Sequence, residues 1–221
     1  MLGDLYSLTD NLSDRDYHLN GFVMLGSAVC HVEAGEIARP NITVSRIISR
    51  VVLRSLKCNV ARQYEGMIVD CVFLGNAAVE RSLGGESLCW VNMGGYADVM
   101  KKQPIGLDGV VGQCPDYLYK AMGKTLEVGQ VFDWPLCLYC YPNETSDFTC
   151  LYILATIGGK KCYYKVPLDK GLAPNVTCAV DVEITNIGAE LPPDGVLQRG
   201  EIVATVSIEG WSMGYLYNAE F

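Results

Sequence analysis

The chain has 221 residues, half of them hydrophobic and 19% charged, with a formal net charge of −8 and a pI near 4.8. This composition excludes a disordered chain and allows one large or two small domains, each able to bury a core. Acidity and scattered Lys and Arg argue against nucleic acid, whose phosphates need a basic footprint, and against an anionic membrane surface. No apolar run reaches the roughly 20 residues of a membrane helix, and no basic and apolar leader opens the chain. Either export is not intended or the leader is absent from this sequence.

Met1 to Asp16 is polar and turn-rich. Asn20 to Glu33 holds a short apolar run ending in Val29-Cys30-His31-Val32, and Gly35 to Asn41 reads as a loop. From Ile42 to Val60, Arg46, Arg50 and Arg54 recur every four residues, which suits a helix face. Ile42, Val44, Ile47, Ile48, Val51 and Val52 are β-branched and favour a strand, with the three Arg on one wet face. Glu65 to Gly75 predicts another strand, with Met67, Val69, Cys71 and Phe73 on one side. Asn76 to Gly112 reads as mostly loop, with Trp90 as an anchor. Pro115 to Met122 reads as a short helix, with Asp116 in its first turn.

Beyond Gly123 to Gly129 the strand signal becomes denser, and a domain boundary is drawn at 127/128. Phe132 to Tyr141 is predicted as one strand. Phe148 to Ile157 and Lys160 to Leu168 flank Gly158-Gly159, a hairpin signal because such turns need positive φ. In the last stretch, Val176, Cys178, Val180, Val182 and Ile184 alternate with Thr177, Ala179, Asp181 and Glu183, which gives one dry and one wet face. Ile202, Ala204, Val206 and Ile208 repeat the pattern. After Trp211 it returns in Met213, Tyr215, Tyr217, Ala219 and Phe221, up to the final residue. An alternating stripe of this kind is either an ordinary last strand or a strand meant for another molecule's sheet.

Chemistry-bearing clusters are sparse. Ten cysteines open two possibilities, a disulfide framework or reduced thiols buried as small hydrophobes, and the apolar strand setting of Cys71, Cys150 and Cys178 favours the second. Cys137-Leu138-Tyr139-Cys140 has redox spacing, but residues three apart in a strand point to opposite faces, and redox pairs sit at a helix N-terminus. His18 and His31 lie at no ligand spacing from a cysteine pair. Ser87 lacks the glycines of a nucleophile elbow. The expectation is therefore no catalytic residue, no metal site and no cofactor.

Cys140-Tyr141-Pro142-Asn143, the strand that follows, Ile157-Gly158-Gly159-Lys160 and Tyr163-Tyr164-Lys165-Val166-Pro167-Leu168 resemble the Bacteroidetes fimbrillin family, the FimA/Mfa-like pilins. Asn175 to Asn186 and Val203 to Trp211 are similar to that family's closing strands. Leu19 to Ser27 and Val44 to Val51 are similar to pieces of its N-terminal domain. The likeness covers most of the chain. Two features depart from it: no lipoprotein signal or first strands precede Gly3-Asp4-Leu5, and the cysteine count is high.

The resemblance implies an all-β protein of two sandwich-like, transthyretin-like domains in tandem with few short helices. The N-terminal domain would span 1–127, short of its first strands. The C-terminal domain would span 128–221 and end in a strand extension at 201–221. It further implies a shaft-type fimbrial subunit at the cell surface or outer membrane that supports adhesion and polymerises with other pilin subunits. In the family, a groove opened by removal of the first strand takes a neighbour's C-terminal strand. The assembly strand would comprise Ile202, Ala204, Val206, Ile208, Trp211, Met213, Tyr215, Tyr217, Ala219 and Phe221. Membrane attachment would run only through a lipidated precursor or an anchor subunit. The rival expectations are a tip or accessory adhesin binding a host protein or glycan through Tyr139, Tyr141, Tyr163 and Tyr164, and a thiol redox protein.

Overall fold

The computed structural model describes residues 8–12, 21–31, 33–35, 37, 40–93, 99–102, 104–106, 114–143, 148–168, 172–190 and 202–211. Its strands in chain order are β1 (Thr9–Asn11), β2 (Met24–Leu25), β3 (Ser45–Arg46), β4 (Ser49–Cys58), β5 (Gly66–Gly75), β6 (Ala77–Ser82), β7 (Ser87–Met93), β8 (Pro104–Gly106), β9 (Tyr119–Glu127), β10 (Val131–Phe132), β11 (Leu136–Cys140), β12 (Cys150–Ile157), β13 (Lys160–Pro167), β14 (Val176–Ile184) and β15 (Ile202–Gly210). The all-β expectation holds.

One large sheet runs β13-β12-β5-β9. The other runs β10-β4-β14-β15, with β11 also beside β4. They form a sandwich around a core that includes Val51, Leu53, Leu56, Val180 and Val182 from one sheet and Met67, Val69 and Ile153 from the other. A smaller sheet, β1-β6-β7-β8, adjoins them. The boundary drawn at 127/128 falls in the turn between β9 and β10. Strands from both sides of it share both large sheets: β4 pairs with β14 and β11, and β5 pairs with β12.

Local rules explain most elements. In β4 the buried residues Val51 and Leu53 are followed by Leu56 and Cys58, a spacing that breaks period two. The register against β14 shifts between Val180 and Asp181, so Arg54 is the extra residue of a bulge, and both apolar pairs stay on the core face. A second bulge, at Asp70, corrects the stripe expected in β5. Val69 faces Ala155 and Cys71 faces Leu154, so those two residues point to opposite faces. All four stripe residues are nevertheless buried, because both faces of the sheet are covered. Phe73 stacks on Tyr152 at 5.0 Å.

The hairpin β12–β13 turns on Gly158 (φ 55°) and Gly159 (φ 79°), as the sequence demands. Three expectations are corrected. Of the stretch 76–112, expected to be mostly loop, the described residues hold strands β6, β7 and β8. The first two are joined by a tight turn in which Gly85 N–H donates to Ser82 O at 3.0 Å. Pro115 to Leu118 is a turn, closed by Leu118 N–H to Pro115 O at 2.9 Å, and it leads into β9 rather than a helix. The predicted strand Phe132 to Tyr141 breaks at 133–135 into β10 and β11, both on β4.

Tyr164 is fully buried. Its hydroxyl donates to Asn186 O at 2.7 Å and accepts from Gly188 N–H at 3.0 Å, which pins the segment after β14 to β13. Tyr164→Phe removes the acceptor of a buried N–H, so it should cost about 1–3 kcal/mol in urea unfolding at unchanged slope. A midpoint equal to the parent's would show that this hydroxyl does not hold the segment.

Candidate assembly surface

The outer face of β4, β14 and β15 carries Arg50 and Arg54, while Arg46 belongs to β3. Arg50 donates to Thr177 Oγ1 at 3.1 and 2.9 Å from two of its nitrogens. Arg54, turned outward by its bulge, donates to Asp181 Oδ2 at 2.5 Å and to Glu209 Oε1 at 3.4 Å, so it ties β4 to both β14 and β15. Lys57 and Asn59 donate to Glu183 Oε1 at 3.2 and 2.6 Å. The wet face expected for this strand is therefore a cross-strand charge network.

Burial favours the neutral acid at Asp181, but hydrogen bonds from Ser55 and Arg54, together with the Arg54 charge, outweigh it and hold the carboxyl below its ordinary value. A depressed folded pKa means stabilisation present in full above the unfolded value, about 4, and lost as pH falls through the folded one. The pair is partly exposed, so the effect is small. The melting difference between Asp181→Asn and the parent should be constant above about pH 5 and shrink below about pH 4. A difference independent of pH would assign it to packing instead.

At the end of β15 the ring of Trp211 lies 4.6 Å from the Arg46 guanidinium, 4.7 Å from that of Arg50 and 5.8 Å from the Tyr139 ring. Phe22 meets Tyr139 at 4.9 Å and Trp211 at 5.7 Å, and Tyr117 closes the cluster on Tyr139 at 5.7 Å. Trp211 N–H donates to Asn175 O at 3.1 Å, and Arg46 Nη1 donates to Asn175 Oδ1 at 3.3 Å. The chain is thus fixed at Trp211, ten residues before its end.

Of the expected assembly residues, Ile202 and Val206 pack partly buried against the core, Ala204 and Ile208 are exposed, and Trp211 is half-buried in its aromatic cluster. Met213, Tyr215, Tyr217, Ala219 and Phe221 lie outside the described residues. The partners of Trp211 were missed at the sequence level. The four-residue spacing of Arg46 and Arg50 was the visible trace of them, since both guanidinium groups lie over one indole ring.

The aromatic ligand surface expected for a tip adhesin is not present as a surface: Tyr141, Tyr163 and Tyr164 are buried, and Tyr139 is packed into the Trp211 cluster. In β11, Cys140 is buried on the core side while Cys137 is only half-buried, the opposite-face arrangement that spacing predicts. Burial pushes both thiols up and pushes that of Cys71 to about 12, away from the thiolate that redox chemistry needs. Cys58, Cys71, Cys114, Cys140, Cys150, Cys162 and Cys178 are all buried. Among the described residues no group of His, Cys, Asp and Glu could hold a metal ion.

No protein-family model matches the chain, and the curated proteins give no match. Solved structures do. A candidate cell adhesion protein from Bacteroides eggerthii superposes with a TM-score of 0.68 at 18% identity, over 95% of this chain and 71% of that one. A fimbrilin from Porphyromonas gingivalis gives 0.59 at 18% identity, over 95% and 75%. A candidate cell adhesion protein from Parabacteroides distasonis gives 0.57 at 17% identity, over 96% and 77%.

The fold is that of the fimbrillins. At these identities the likeness concerns architecture.

Proposed function

We propose that this chain is a non-catalytic structural subunit of a cell-surface fimbrium that polymerises with copies of itself and supports cell adhesion. In this reading residues 213–221 pass into a neighbouring subunit's sheet. The observation that carries it is a fimbrillin fold whose last described strand is held at Trp211, with an alternating apolar stripe still to come. Backbone pairing would supply affinity, and the alternate side chains would fix register. Attachment to the membrane would run through a lipidated precursor or an anchor subunit.

A shaft role is favoured over a tip role because a tip subunit accepts a strand but has no need to donate one. The test is assembly of the purified full chain, followed by sedimentation and electron microscopy as concentration rises. Fibres of regular width support the proposal. A chain that stays monomeric at every concentration overturns it.

A further inference from the structure

Between β2 and β3 the chain makes a long excursion. The two strands pair Met24 with Arg46 and Leu25 with Ser45, so the midpoint of their register is residue 35. Gly35 sits there in a turn at φ 90°, a left-handed value that glycine adopts without strain. The limbs stay close beyond the paired residues. A Cβ on Gly26 would collide with the Thr43 carbonyl and meet the Val44 side chain at 3.0 Å. Every described residue from 27 to 45 is exposed. The excursion is therefore a hairpin-like arm standing away from the core.

The arm has an apolar face. Val23 and Leu25 pack against the core, so alternation turns Phe22 and Met24 the other way. Residues opposite each other in an antiparallel pair share a face, so Arg46 joins them, followed by Val44 and Ile42 on its own limb. Met24, Ile42 and Val44 are about half exposed, and Val29 toward the tip is completely so. Such a concentration of exposed apolar side chains marks an interaction surface.

The position of this face indicates its partner. The Trp211 ring lies on it, 5.7 Å from Phe22 and 4.6 Å from the Arg46 guanidinium. The arm and the segment 213–221 thus leave the body from one root. Their reach is also equal. Nine residues of extended chain span about 30 Å, whether from Gly26 toward Gly35 or from Met213 to Phe221. Charge favours a second copy here. Two chains of net charge −8 repel, and Phe22, Met24, Ala28, Ile42 and Val44 bring no carboxylate to the contact.

We propose that the outward face of this arm is an interaction surface for a second copy of the chain, the same neighbour that takes up residues 213–221. The inference rests on the strand-donation reading and adds a second contact to it. Two contacts from one root bind as a linked pair, so the second is met at high effective concentration.

Two measurements on the full-length chain test this. The double variant Ile42→Asp, Val44→Asp should melt at the parent temperature, because neither side chain is in the core. Its critical concentration for fibre formation should rise about a hundredfold, the low end of what a linked contact supplies. The exposed thiol of Cys30 gives a second readout without mutation. In parent monomer a maleimide should label it, as read by peptide mapping, and in parent fibres the label should be largely lost. Fibres in which Cys30 reacts as in the monomer would overturn the assignment, as would a double variant that assembles at the parent's critical concentration. A lower melting temperature for the monomeric double variant would also overturn it, by showing the face already covered within its own subunit. In each of these cases donation stands as long as removal of Ser212–Phe221 abolishes fibres. If the shortened chain still assembles, or the parent forms no fibres at all, the donation reading fails and this inference fails with it.

Discussion

Removal of Ser212–Phe221 is expected to leave a folded, soluble monomer that no longer forms fibres. The ladder between β14 and β15 is complete before the cut, from Ile184↔Ile202 to Val176↔Gly210, and the bond from Trp211 N–H to Asn175 O also precedes it. The melting temperature should therefore stay within roughly 2–4 °C of the parent's, the shift produced by about 1 kcal/mol in a chain of this size. Assembly should fall below detection. Charged residues at Tyr215 and Tyr217 should act like the deletion, because they sit on the apolar side of the stripe. Changes at Asn218 and Glu220 should matter little. Melting and sedimentation must be measured on the same samples. A deletion that unfolds the protein would make the segment a core strand of its own subunit. Fibres from the shortened chain would move donation to another strand.

The sequence was legible wherever one local rule decided the outcome. Val176 to Ile184 alternates without interruption and is β14. Gly158-Gly159 between apolar runs is the turn of β12 and β13, since both residues need positive φ. Legibility failed where a distant partner decided. Nothing in the spacing of Ser49 to Cys58 announces a parallel partner more than 120 residues later, yet that pairing, together with β5 beside β12, carries both sheets across the expected domain boundary. Asp116 after Pro115 fits a helix start, but the segment is already committed by β9 pairing with β5. The Gly- and Ser-rich stretch from Ser82 to Ser87 suggested loop, and it is the turn between two strands. At the assembly surface, the terminal stripe was visible in the sequence. The anchor beneath Trp211 was not, because Phe22, Tyr117 and Tyr139 come from three separate parts of the chain.

That anchor carries the second large expected effect. Trp211→Ala removes ring contacts with Phe22 and Tyr139 and uncovers two guanidinium groups that now lie over the indole. Truncating a fully buried Trp costs about 3–5 kcal/mol. Trp211 is only half-buried, but its cation–π contacts add to what is lost, so about 2–4 kcal/mol is expected. By the size scaling this lowers the melting temperature by roughly 5–15 °C. The backbone bond to Asn175 survives the substitution, so β15 should stay in its sheet and the variant should remain folded at 25 °C. Assembly should suffer more than stability explains. An unanchored root lets the donated segment leave the sheet in many directions, and the entropy of ordering it is then met at each docking step. Trp211→Phe, which keeps a ring over Arg46 and Arg50, should recover most of the melting temperature and most of the fibre yield. If Trp211→Ala loses stability as expected but polymerises at the parent rate, the cluster is only a cap on the sandwich and does not aim the strand.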